Sequence, residues 1–280
     1  MKHLWVSGTG ILFFIASPSA MADEIGFAGS AGLQYKQLEF ENTIHASSTL
    51  EGTGNLSASL PTMNLQAIAF SDRLYFVLKG EWTIEEQATD SSVPFTTDNT
   101  DLQTGVKRED YSLSVGYHLS DNLNLFGGYM SGTSELTPEA GKCYVAVCET
   151  WAGRMEYNGF SNYHQEYTEQ GFFAGGSYSW NIFNGKLSSS LAYALMDGQY
   201  KDNYRSSTGD NEAFNFEGNS TGYSAALTWA APLNANVAYF IDARYQQYQM
   251  EADDFYKEIN TTTQTEEILF GLTAGLQVLF

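Results

Sequence analysis

The sequence predicts an all-β chain folded as a transmembrane antiparallel up-and-down β-barrel of about ten strands. The first observation is strict two-residue alternation of apolar and polar residues, which recurs about ten times and marks sheet with one face in an apolar medium. The second is that the connections alternate between tight and long. The third is composition. Mean hydropathy is only −0.27, yet the 280 residues include 18 Tyr, 18 Phe and 26 Gly, with only 5 Pro. Apolar side chains are spread at every second position instead of gathered into runs of about 20 residues, as helical spans require.

The chain opens with Met1, Lys2 and His3, an apolar stretch over 4–15 broken by Ser7, Gly8, Thr9 and Gly10, and then Ala20-Met21-Ala22. A basic start, a short apolar run and a small–x–small triplet predict a secretory signal over 1–22, cut after Ala22. Residues 23–280 then form a single barrel domain. The chain carries 13 Lys and Arg against 33 Asp and Glu, a net charge of −20. That balance excludes nucleic acid, whose phosphates need clustered cations, and predicts solvated acidic loops.

The last strand is the clearest. Phe270, Leu272, Ala274, Leu276, Val278 and Phe280 share one face, with Gly271, Thr273, Gly275 and Gln277 on the other. The ending Gly-Leu-Thr-Ala-Gly-Leu-Gln-Val-Leu-Phe resembles the C-terminal β-signal of bacterial outer-membrane proteins. That resemblance implies the outer membrane, recognition of Leu276, Val278 and Phe280 by the barrel-assembly machinery, lipid and lipopolysaccharide around the wall, and both termini in the periplasm.

The same alternation places Phe27, Leu33 and Tyr35 outward on the first strand, with Gln34 and Lys36 inward. Leu74, Phe76, Leu78 and Trp82 face out on the third, Tyr111 to Tyr117 by twos on the fourth, and Leu123 to Tyr129 by twos on the fifth. Further strands follow around Tyr178, Leu191, Tyr223 and Ile241. In the second, Leu56, Ala58 and Leu60 share one parity and Met63, Leu65, Ala67 and Ala69 the other, which predicts a bulge near Pro61. Tight connections fall at 71–72, 120–122, 184–185 and 232–235; long acidic ones fall at about 40–53, 87–104, 132–165, 201–218 and 252–264. A hairpin inside 132–165, or a miscounted strand, would make the total twelve or eight. Trp180 and Trp229 on one side, and Trp82, Tyr245 and Tyr248 on the other, suit the two aromatic girdles of a barrel.

Several constellations bear on chemistry. Cys143 and Cys148 predict a small disulfide loop in an oxidising compartment; their spacing does not suit zinc. Omptin proteases resemble the chain in size and strand number, and the resemblance implies an Asp–His pair at the outer rim, but His45 and His164 lie in no Asp-x-His arrangement. His118-Leu119-Ser120 has the form of a His–Ser hydrolase pair, yet it runs into a tight turn with both side chains inward. Asp253, Asp254, Glu258, Glu266 and Glu267 are carboxylates without the loop that fixes calcium geometry. No metal or other cofactor is expected. Lys79, Glu81, Asp242 and Arg244 all point inward at similar height, which predicts a charge network across the lumen. Phe126, Phe173 and Phe240 share the inward parity, either filling the lumen or lining an apolar path. The expectation is a non-enzymatic barrel acting as a narrow channel for small solutes or as a surface-presenting scaffold. A rim hydrolase and an adhesin or receptor working through the acidic loops are the alternatives.

Overall fold

The computed structural model describes residues 4–8, 11–15, 25–47, 50–91, 102–138, 161–205, 211–253 and 262–280. Leu4–Gly8 (β1) and Ile11–Ile15 (β2) pair as a separate two-stranded sheet. The expected cleavage point after Ala22 lies outside the described residues.

The second sheet is the barrel. Its strands are Gly26–Ser47 (β3), Leu50–Ser71 (β4), Leu74–Thr83 (β5), Gln87–Ser91 (β6), Leu102–His118 (β7), Leu123–Pro138 (β8), Ser161–Ile182 (β9), Gly185–Arg205 (β10), Asn211–Pro232 (β11), Val237–Asp253 (β12) and Thr262–Leu279 (β13). All pairings are antiparallel, and β13 pairs with β3 along its length, so no edge is left unpaired. β5 and β6 are two pieces of one stave, both pairing with β7; between them the Ile84 N–H donates to the Pro61 carbonyl at 2.8 Å. Counted by staves, the barrel has ten strands. Tight turns at 72–73, 119–122, 183–184 and 233–236 occupy the end that also carries the C-terminus.

The outer wall divides into two zones. In the zone nearest the tight turns, outward residues are apolar and open to the surroundings: Leu33, Phe172 and Leu191 are 65%, 72% and 67% exposed. This belt covers 27–35, 61–69, 74–82, 111–117, 123–129, 172–180, 187–195, 223–229, 237–245 and 270–278. Residues 27–35 span roughly 26 Å of strand at about 3.3 Å per residue, close to the apolar height of a barrel in a bilayer once tilt is allowed for. An apolar surface this large would not stay dispersed in water.

Above the belt the pattern inverts. On β3, Gln37, Glu39 and Glu41 face out while Leu38 and Phe40 are buried inside. On β4, Ser57 and Ser59 face out while Leu56, Ala58 and Leu60 are buried. This inversion corrects the expected bulge near Pro61. β4 keeps unbroken register with β3 through Pro61, which pairs with Tyr35. The parity of the apolar residues changes because the medium outside the wall changes from apolar to aqueous, and the backbone does not shift. Each strand thus continues well past the belt, and much of the sequence expected as long loops is strand: β3 reaches Ser47, β4 begins at Leu50, β9 at Ser161 and β11 at Asn211. Tyr248, expected in a girdle, is instead fully buried in the lumen, because even-numbered residues of β12 point inward. Tyr245 and Trp82 do face outward, and the Trp82 indole N–H donates to the Tyr111 hydroxyl at 2.7 Å.

Leu191→Lys, at mid-belt, should destabilise the barrel by about 2–4 kcal/mol, whereas Gln170→Lys, outward above the belt, should cost close to nothing. Urea unfolding of both variants in lipid vesicles checks the difference.

Candidate functional site

The lumen is the only enclosed space the strands create among the described residues, and its contents fall into three groups. Nearest the tight turns, Tyr75 stacks on His118 with ring centroids 5.0 Å apart and accepts a hydrogen bond from the Asn124 amide. Phe126 and Phe240 lie buried over Gly175 and Gly275, where a Cβ would come within 2.6 Å of either ring. Only glycine leaves room for an aromatic side chain to cross the lumen at these points. Phe126 and Phe240 therefore fill this level, whereas Phe173 borders the cavity above it. Ser120 does not face His118 as a partner: its Oγ accepts the Leu123 N–H at 3.1 Å and closes the turn.

The middle level is a chain of ion pairs. Lys79 pairs with Glu81, and Glu81 with the Lys36 ammonium at 2.8 Å. Lys36 also donates to Asp110 at 2.7 Å, and Asp110 accepts from Arg108 at 2.8 Å. Arg108 reaches across to Glu267, whose other oxygen accepts from Ser134 at 2.8 Å. Beside this chain Arg244 lies 3.6 Å from Asp242, which accepts from Thr228 at 2.5 Å. The four residues expected from sequence do point inward, and Lys79, Glu81 and Arg244 border one cavity of about 80 Å³, together with Ser112, Phe173 and Tyr248. The hub, however, is Lys36, Arg108, Asp110 and Glu267. Parity already places Lys36 inward beside Gln34, and it extends the inward series of Ser112 and Ser114 to Asp110 and Arg108.

An apolar cluster interleaves with this chain and extends above it, among buried Asn42, Thr104 and Thr265. Leu38, Leu60, Val106, Leu136, Met250 and Leu269 are buried together, with Tyr200 stacked on Phe216 toward the loop end at 6.0 Å between centroids. Partners make this interior tolerable for charge. Burial works against the Arg108 guanidinium, but Asp110 and Glu267 outweigh it and hold the group above its ordinary range. Outside, at the rim, a hydrogen bond from Lys107 to Glu86 likewise raises the lysine.

The remaining sequence candidates do not converge. His45 lies on β3 and His164 on β9, five staves apart either way round, on opposite sides of the barrel. Glu266 and Glu267 project to opposite faces, Glu266 outward beside Gln249 and Glu267 inward, so they cannot share an ion. Cys143, Cys148, Asp254 and Glu258 lie outside the described residues. Leu276 and Val278 face outward as expected, and the Phe280 N–H donates to the Phe27 carbonyl at 2.9 Å, tying the terminus to the first strand.

No protein family matches the chain, and no curated protein does. Among solved structures, the outer membrane protease OmpT from Escherichia coli superposes with a TM-score of 0.70 at 12% identity, covering 94% of this chain and 99% of that one. The P. putida toluene transporter TodX aligns over 91% of this chain and 90% of its own, at 11% identity, with a TM-score of only 0.36. The fold is therefore that of a ten-stranded outer-membrane β-barrel.

Arg108→Ala would leave Glu267 a buried carboxylate without its cation and Asp110 with Lys36 alone, and should lower stability by about 3–5 kcal/mol. Equilibrium unfolding of the refolded variant measures it; a loss below about 1 kcal/mol, the scale of an exposed ion pair, would contradict the burial of this network.

Proposed function

We propose that this chain is a non-enzymatic protein of the bacterial outer membrane, a closed barrel that serves as a scaffold for the surface formed by its loop end. Its termini and tight turns then lie in the periplasm, its belt sits in lipid and lipopolysaccharide, and the terminal strand carries the signal for the assembly machinery. One observation carries this reading: the lumen is filled by aromatic rings near the tight turns and, farther up, by paired charges interleaved with an apolar cluster. A solute would have to displace buried leucines above and rings on glycine below, whereas conducting pores keep a water-lined path.

The enzymatic alternative draws support from the shared fold with a protease, but fold alone does not carry activity, and the two outer histidines stand on opposite walls. The narrow-channel alternative is favoured by the cavity beside Lys79 and Arg244. An adhesin or receptor would be a special case of the scaffold, with the acidic outer wall as its contact face.

Planar-bilayer recording separates these. The refolded wild type should be silent, and so should Lys79→Ala and Arg244→Ala, because the apolar level remains in place. Steady wild-type conductance whose size or ion preference changes in those variants would replace the scaffold reading with the channel.

A further inference from the structure

The charges inside the barrel do not balance. Among the described inward residues at and above mid-height, four cations (Lys36, Lys79, Arg108 and Arg244) face five carboxylates (Glu81, Asp110, Glu169, Asp242 and Glu267). Each of the other four carboxylates has an ammonium or guanidinium against it; among the described residues Glu169 has none within ion-pair distance. Its Oε1 accepts from the Tyr167 hydroxyl at 2.6 Å and from Ser220 Oγ at 2.8 Å. Its Oε2 is buried with no hydrogen-bond partner. The residue is 2% exposed.

The surroundings explain why no cation reaches it. Glu169 lies above the lipid belt, between outward Thr168 and Gln170. In register it faces Gly132 on β8 and Gly198 on β10, neither of which offers a side chain. Among the described side chains, the titratable groups facing this region are Tyr167 on its own strand, Tyr200 on β10, Tyr248 on β12, Arg108 and Asp110 on β7, Glu267 on β13 and Lys36 on β3, while β8 and β11 bring the hydroxyls of Ser134 and Ser220. Arg108 is committed to Asp110 and Glu267, and Lys36 to Glu81 and Asp110.

We propose that Glu169 holds a proton in the folded barrel at neutral pH, and that loss of this proton in alkaline medium loosens the apolar seal above the ion-pair chain, making the upper lumen a pH-sensitive latch. The chemistry needs only a proton. A hydroxyl accepts a hydrogen bond as readily as it donates one, so the neutral acid can donate to Ser220 Oγ within the observed geometry. On deprotonation the proton leaves to solvent and an uncompensated carboxylate remains in apolar surroundings. Burial, followed by the Glu267 charge, pushes the Glu169 carboxyl up to about 8, against the opposing effects of the Tyr167 bond and Arg108. Because an unfolded Glu loses its proton near pH ~4.3, the folded state binds more protons than the unfolded state above that pH. Stability therefore falls as pH rises from about 4 toward the folded value, then levels off. The inference does not depend on the scaffold reading, since a conducting barrel could carry the same latch.

Infrared spectroscopy of the refolded protein tests it. At neutral pH the wild type should show the carbonyl band of a protonated carboxylic acid, missing in Glu169→Gln and lost from the wild type in strongly alkaline buffer. Urea midpoints should decline with pH for the wild type and lose that decline in Glu169→Gln. If no such band separates the two proteins at neutral pH, the proposal is wrong. Should Glu169→Gln fail to refold, the wild-type difference spectrum between neutral and alkaline buffer decides, and a spectrum without loss of a protonated-acid band overturns it.

Discussion

A ten-stranded closed sheet encloses an interior only modestly wider than the eight-stranded kind that side chains fill. Every inward side chain must therefore find its partner inside the barrel, and most of the architecture follows from that requirement. Lys36 reaches carboxylates on two other strands, Phe126 and Phe240 cross the lumen where glycine lies opposite, and leucines pack among the paired charges. The ion-pair chain from Lys79 to Glu267 ties β3, β5, β7 and β13 together through their side chains, in addition to the backbone pairing of the wall.

The wall obeys a second constraint, set from outside. Over the belt, outward positions must be apolar and inward ones can be polar; above it, water reverses both requirements. The chain meets this by inverting its alternation within continuous strands. In the membrane zone the structure is an inside-out barrel, and in the upper zone it has the apolar interior of a water-soluble one. The apolar cluster arises directly from this inversion.

The sequence disclosed the membrane zone well, because strict alternation through Leu33 and Tyr35, or through Leu272 and Leu276, has no competing explanation. It disclosed the upper zone poorly. There the same alternation carries the opposite phase, so Leu56, Ala58 and Leu60 looked like a bulge displacing a lipid-facing row, and acidic outward residues looked like loop. Tyr248 was misplaced for the same reason, as an aromatic near a strand end that follows inward parity. For the charges, Lys79, Glu81, Asp242 and Arg244 were legible as inward, but their pairing was not. Which cation meets which carboxylate depends on strand register across the lumen, and Arg108 with Glu267 are 159 residues apart. Glu169 gave no signal at all, because its significance lies in a charge count over six strands.

Whether water reaches the interior of the folded barrel is read directly from thiol reactivity. With Cys143 and Cys148 replaced by serine, Leu269→Cys and Gln170→Cys would be exposed in vesicles to a membrane-impermeant maleimide. A sealed lumen predicts that Gln170→Cys reacts at once while Leu269→Cys stays unlabelled until urea unfolds the barrel. Equal labelling of both in the folded protein would show water reaching the apolar level and would contradict the seal.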